Sequence, residues 1–171
     1  MVVEGYVGLG SNLGDREAYL RAGIAGIARK GIALLALSSV WETQPVDTEE
    51  PSWFLNMAAR IGTDLPPEDV LERLLEVEAD AGRVRTARNA PRVLDLDLLL
   101  LGDCRRHGPR LVLPHPRMWE RRFVLAPLAE IAPGLVDPGS GRTVLEALAS
   151  LPDPHAVRRV GTLALPGSRP V

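Results

Sequence analysis

The sequence predicts an α+β fold, an antiparallel sheet with helices packed on it, and three observations carry that prediction. Short apolar segments fall between two longer segments of helical period. Their order along the chain is β-α-β-β-α-β, followed by further elements. A length of 171 residues is that of one domain with a core of its own.

Each element has its own justification. Residues 2–9 read as a first strand, closed by Gly8 and Gly10. Asp15 is placed as a helix N-cap, and Leu20, Ile24, Ile27 and Ala28 keep helical spacing until Gly31 stops the run. Residues 32–42, β-branched or apolar around Ser38-Ser39, read as a second strand, and 53–62 as a third. Between them runs a polar loop with Thr43, Gln44, Pro45 and Glu49-Glu50-Pro51. Pro66-Pro67 opens a helix over 67–81, since proline is tolerated in a first turn. After an arginine-rich loop, 93–101 is a strand whose apolar run predicts a central place in the sheet. A short strand at 110–113 and helices at 120–131 and 143–150 follow. The arrangement is ferredoxin-like with C-terminal helical additions. Residues 1–151 are expected to form a single domain. Residues 152–171, with four prolines and two glycines, are expected to be an extended or mobile tail and no separate domain.

Composition excludes several classes of function. A formal net charge of −2 argues against nucleic-acid binding, whose footprint is a basic surplus. No run has the length of a membrane span and no basic leader precedes the first strand. Cys104 is alone, which excludes an intrachain disulfide and suits a reducing, cytoplasmic setting. All but one of the 20 basic residues are arginines (Lys30 is the exception), so arginine on its own is a weak signal.

The segment 83–97 is the most specific. Arg83, Arg85, Arg88 and Arg92 run into Asp95 and Asp97, which share one face of a strand while Leu94, Leu96 and Leu98 take the other. Two carboxylates side by side repel unless a cation lies between them. Oxygen ligands of this kind suit Mg²⁺ with water and phosphate, and arginine forks suit phosphate oxygens. Together they point to phosphoryl-transfer chemistry. The bland alternatives are a polar strand face in water and a solvated arginine run.

Other candidates are single residues. Glu78 sits where the Leu71, Leu74 and Leu75 stripe calls for a leucine, as an anion paired to an arginine such as Arg83 or as a rim residue. His115, between Pro114 and Pro116, can donate to phosphate even when neutral, or serve structure alone. Phe54 and Phe123, in a chain of only 4% aromatics, can sandwich a flat ring whose edge Asn56 reads, or can be core residues. The glycines from Gly8 to Gly14 miss the G-x-G-x-x-G spacing, and their turn is assigned to the fold.

In order along residues 2–137, five segments resemble the 6-hydroxymethyl-7,8-dihydropterin pyrophosphokinases of folate biosynthesis. They are Gly10-Ser11-Asn12-Leu13-Gly14, Glu78 with Gly82-Arg83-Val84-Arg85, Pro91-Arg92-Val93-Leu94-Asp95-Leu96-Asp97, Leu113-Pro114-His115-Pro116-Arg117-Met118, and Glu120-Arg121-Arg122-Phe123-Val124-Leu125-Ala126-Pro127-Leu128. The resemblance implies transfer of the diphosphoryl group of ATP to a pterin hydroxymethyl group, with release of AMP. It implies two Mg²⁺ ions on Asp95 and Asp97, with Arg83 and Arg92 as further catalytic residues. ATP would be bound by Arg83, Arg92, Arg121 and His115, with Leu71, Arg85 and Arg110 as secondary contacts. The pterin would be held by Thr43, Pro45, Val46, Phe54, Asn56, Asp95 and Phe123, with Glu78 bracing the site. Loops around 44–50 and 83–92 would close over the substrates, and the protein would be a monomer or weak homodimer with small-molecule substrates only. The chain departs from the family pattern at Asn89-Ala90, in a loop one residue shorter, and at Gln44, where a second proline is common. Two rivals stay open: another phosphoryl or nucleotidyl transferase, and a non-catalytic metal-binding module.

Overall fold

Strand β1 (Val3–Ser11) and strand β4 (Phe54–Thr63) pair antiparallel along their whole lengths and form the middle of the sheet. A computed structural model of the chain describes residues 1–44, 53–82, 93–152 and 156–167. The elements are β1, α1 (Arg16–Arg29), β2 (Ala33–Leu37), β3 (Val40–Thr43), β4, α2 (Pro67–Asp80), β5 (Asp95–Leu101), β6 (Arg106–His107) and β7 (Val112–Leu113). A short 3-10 turn, Met118–Glu120, then leads to α3 (Arg122–Ile131), α4 (Val144–Ala149) and β8 (Val157–Gly161). The main sheet has the order β5-β1-β4-β3-β8, with β2 also on β4, while β6 and β7 pair apart. The fold is the ferredoxin-like one, with α3 and α4 added on the second face.

Alternation along the strands sorts the core into two layers. Val7, Leu9, Leu55, Met57, Ala59, Ile61, Leu96 and Leu98 meet Leu20, Ile24 and Ile27 of α1 and Val70, Leu74 and Val77 of α2. The opposite face sends Ala58, Leu99 and Leu100 against Val124, Leu125 and Leu128 of α3 and Val144 and Ala147 of α4. Burial of this kind stabilises by about 25 cal/mol per Å² of apolar surface. Helix α1 starts where expected, its Asp15 side chain accepting the Ala18 amide hydrogen at 3.0 Å. It approaches α2 closely, since a Cβ on Gly26 would lie 2.7 Å from Val77 Cγ1.

Three expectations change. The single strand at 32–42 is broken at Ser38-Ser39, whose hydroxyls compete for main-chain bonds. Ser38 Oγ donates to the Ser39 carbonyl and accepts the Ala58 amide hydrogen. Glu130 of α3 fixes the break, accepting from Ser39 N at 3.2 Å, Ser39 Oγ at 2.8 Å and Trp41 Nε1 at 2.5 Å.

Strand β5 is not central but ends the sheet, with β1 as its one strand neighbour in that order. Its apolar run reflects cover on both faces rather than neighbours on both edges, and a register shift opposite Tyr6/Val7 turns both Leu99 and Leu100 toward α3. Side chain and loop cap its outer edge: Glu78 Oε2 accepts from Leu96 N at 2.8 Å, and His115 N donates to the Leu99 carbonyl at 2.9 Å.

The third change is in the tail, where the extended part is β8, paired with β3. Among the described residues no helix is long and apolar enough to cross a membrane.

Candidate active site

Asp95 and Asp97 stand half-buried on the α3 face of β5, while Leu94, Leu96 and Leu98 enter the core beneath. Strand register sets Asp95 opposite Gly10 and Asp97 opposite Gly8 of β1, and Gly10 opposite Asn56 of β4. Partners in register on antiparallel strands share a face. A bare strip of backbone therefore lies between the two carboxylates and the Asn56 amide. A Cβ on Gly10 would stand 2.8 Å from Asn56 Oδ1, so the amide reaches over a position where no side chain fits. The sequence assigns these glycines to a turn, whereas β1 runs on to Ser11 and they form the floor of the row. Glycines two apart within a strand are the signal for it, because they clear one face for a close approach.

At the far end of the row Asn56, itself buried, donates through Nδ2 to Thr43 Oγ1 at 2.7 Å. Thr43 pairs in register with Phe54, which alternation turns to the α3 face with Asn56. Phe123 stands in the first turn of α3, half-buried like Phe54, with the Arg121 guanidinium carbon 5.4 Å from its ring centroid. Phe54, the Asn56 amide and the Thr43 hydroxyl thus gather at one end of the face and the carboxylates stand at the other.

His115 joins the carboxylate end. Its Nδ1 accepts the Arg117 amide hydrogen at 3.2 Å, which puts the proton of the neutral ring on Nε2. Burial first, and the Arg121 guanidinium second, hold its pKa below the ordinary histidine value, while the Asp95 carboxylate pulls the other way. The ring is therefore neutral at pH 7 and keeps one N–H to offer an anion.

Glu78 is only 2% exposed, and its carboxylate braces the backbone between the two aspartates through Leu96 N. Its expected partner Arg83 lies outside the described residues, as do Arg85, Arg88, Arg92, Pro45 and Val46 and most of the two expected closing loops. Leu71 is half-buried on the flank of α2, whose buried stripe is Pro67, Val70, Leu74, Val77 and Glu78. Arg110 is exposed and pairs with Glu72 of α2. Among the described contacts, neither Leu71 nor Arg110 reaches the row.

The donor set fits a hard divalent cation. Two carboxylates share one face across a glycine floor, and among the described residues no group of three or more His, Cys, Asp or Glu forms a closed cage. Mg²⁺ suits such a place, because it keeps waters and takes phosphate oxygens for its remaining ligands.

Comparison with known proteins identifies the family. Residues 6–133 match the family model for 7,8-dihydro-6-hydroxymethylpterin-pyrophosphokinase. A 2-amino-4-hydroxy-6-hydroxymethyldihydropteridine pyrophosphokinase of Methylorubrum extorquens is 47% identical over 156 residues, 91% of this chain and 97% of that protein. One of Bacillus subtilis is 47% identical over 127 residues, 74% of this chain and 76% of its own length. A Plasmodium falciparum HPPK-DHPS crystal structure with SDX-DHP aligns at a TM-score of 0.73 and 13% identity, over 87% of this chain and 45% of that one. At that identity the likeness is one of fold, and this chain spans less than half of the solved chain. The match across 6–133 and the two bacterial relatives settle the family: the chain belongs to the 7,8-dihydro-6-hydroxymethylpterin pyrophosphokinases.

Proposed function

We propose that the row from Asp97 and Asp95, across Gly8 and Gly10, to Asn56 and Thr43 is where this chain carries out its family's reaction. That reaction transfers the diphosphoryl group of ATP to the hydroxymethyl group of 6-hydroxymethyl-7,8-dihydropterin, in folate biosynthesis. The hydroxymethyl oxygen bonds to the β-phosphorus, the bond from that phosphorus to the α-phosphate bridging oxygen breaks, AMP departs, and the hydroxyl proton passes to solvent. The observation that carries the assignment is the shared face: the two carboxylates and the Asn56 amide lie on one surface with only glycine backbone between them.

The roles follow from chemistry. Asn56 and Thr43, already bonded to each other, present donors and acceptors to the polar edge of the pterin. Phe54 and Phe123 flank its ring. Asp95 and Asp97 would hold the two Mg²⁺ that the resemblance implies. When bound, Mg²⁺ neutralises charge on the phosphate oxygens and aligns the attacked phosphorus. His115 Nε2–H and the Arg121 guanidinium meet the nucleotide's phosphates at the same end. Arg83, Arg85, Arg92, Leu71 and Arg110 keep the ATP-contact roles implied by the family pattern. Glu78 keeps β5 in place, so positioning contributes much of the rate. Residues 1–151 as the catalytic domain, a cytoplasmic location, and a monomer or weak homodimer acting on small molecules complete the proposal.

Product analysis tests it. Incubation with ATP, Mg²⁺ and 6-hydroxymethyl-7,8-dihydropterin should yield AMP and the pterin diphosphate in equal amounts. Formation of ADP, or of free inorganic diphosphate, contradicts it.

A further inference from the structure

Strand β8 lies beyond residues 6–133, the span matched by the family, yet it starts at the pterin side of the row. Register places Val157 opposite Thr43 and Arg158 opposite Glu42. The strand is fastened there in two ways. Gln44 N donates to the Ala156 carbonyl at 3.0 Å, and Ala156 N donates to Gln44 Oε1 at 3.2 Å. One residue along, the Glu42 carboxylate is shared, with Oε1 accepting from Arg158 at 2.6 Å and Oε2 from Arg16 at 3.1 Å. Arg16, the first residue of α1, uses its other nitrogen to donate to the Trp53 carbonyl at 2.6 Å, next to Phe54.

One carboxylate therefore ties β3, β8 and α1 together, and Arg16 carries the link on to the residue before β4, at the point where β3 delivers Thr43 and β4 delivers Phe54. The Arg158 bond first, and the Arg16 bond after it, hold the Glu42 pKa below the ordinary carboxylate value even though burial opposes them. The cluster is not part of the packed core. A cavity of about 540 Å³ opens beside it, lined in part by Asn12, Arg16, Glu42, Trp53 and Arg158, so its bonds can be cut without leaving a hole among apolar side chains.

We propose that β8 positions the pterin-reading wall, with Arg158 and Glu42 as positioning residues that set pterin affinity without touching the substrate. The inference rests on the assignment of Thr43, Phe54 and Asn56 to the pterin. Arg158 ties Glu42 of β3 to β8, Glu42 orients Arg16, and Arg16 holds the carbonyl before Phe54. Thr43 and the ring of Phe54 are thereby kept in register for a flat ligand, and the phosphate end of the row does not feel the change.

Steady-state kinetics on Arg158→Ala, Arg158→Lys, Glu42→Gln and Asn56→Ala, with melting temperatures beside them, test this. For Arg158→Ala and Glu42→Gln the expected result is a rise of about three- to tenfold in KM for the pterin, with KM for ATP within about twofold of wild type. Arg158→Lys, which keeps the charge, should recover most of the loss. The proposal is overturned if pterin KM is unchanged, if both KM values rise together, or if the lysine variant is no better than alanine. Asn56→Ala separates the two levels. If it raises pterin KM and Arg158→Ala does not, the positioning role alone fails. If Asn56→Ala leaves pterin KM unchanged, the pterin assignment itself fails and takes the positioning role with it.

Discussion

Glu78 Oε2 accepts the amide hydrogen of Leu96 at 2.8 Å, so a buried carboxylate on α2 does for the outer edge of β5 what a neighbouring strand would otherwise do. The bonded amide lies between Asp95 and Asp97, which couples helix position to the spacing of the two carboxylates. Glu78→Ala leaves a buried N–H unsatisfied, which costs about 1–3 kcal/mol. Urea denaturation should show that loss, and turnover should fall with it. Glu78→Gln, which can still accept from Leu96, should be the milder change in both measurements. Equal effects from the two variants would mean that charge, not edge capping, is what the position supplies.

The glycine floor gives a second expectation. Gly10→Ala puts a methyl group 2.8 Å from Asn56 Oδ1, inside any real contact distance, so Asn56 must leave Thr43. Pterin affinity, measured by ligand fluorescence titration, should drop about tenfold or more, as expected when a buried polar reader is misplaced. Gly8→Ala meets only the Leu99 side chain at 3.8 Å and should fold with wild-type stability.

Acid should act on the Glu42 junction. Its folded pKa lies below the unfolded one, since the Arg158 and Arg16 bonds favour the carboxylate. A depressed acid contributes stability that is present above the unfolded value, about 4.3, and is lost as pH falls through the folded value. The stability advantage of wild type over Glu42→Gln should therefore be constant from pH 8 to 5 and shrink below about pH 4.3. Urea midpoints at each pH measure it, and an advantage undiminished at pH 3 would contradict the assigned pairing.

Phe123→Ala removes one wall of the proposed ring site and the face on which Arg121 rests. Pterin affinity should fall by about tenfold or more while ATP affinity stays close to wild type. Calorimetric titration of each ligand checks the split, and a loss shared equally by both ligands would argue that Phe123 only packs α3.

Much of this was legible because local chemistry and fold agreed. The Asp95-Leu96-Asp97 alternation, the Asp15 cap and the helical run to Arg29 all appear where period and capping put them. The place of β5 in the sheet was not legible, because an apolar run reports cover on two faces and cannot distinguish a strand neighbour from Glu78 and the His115 amide at an edge. Ser38-Ser39 hid a break, since serine suits a strand until its hydroxyl takes a backbone partner. Arg158 had no signal at all: one arginine among nineteen gains meaning only when β8 sets it opposite Glu42.

The central claim is that Asp95 and Asp97 hold the divalent cations through which the nucleotide's polyphosphate is bound. Calorimetric titration of a non-hydrolysable ATP analogue, with and without Mg²⁺, into wild type and Asp97→Asn tests it most directly. The account predicts that Mg²⁺ tightens binding to wild type by about tenfold or more and does little for the variant. An equal Mg²⁺ enhancement in both proteins would contradict it.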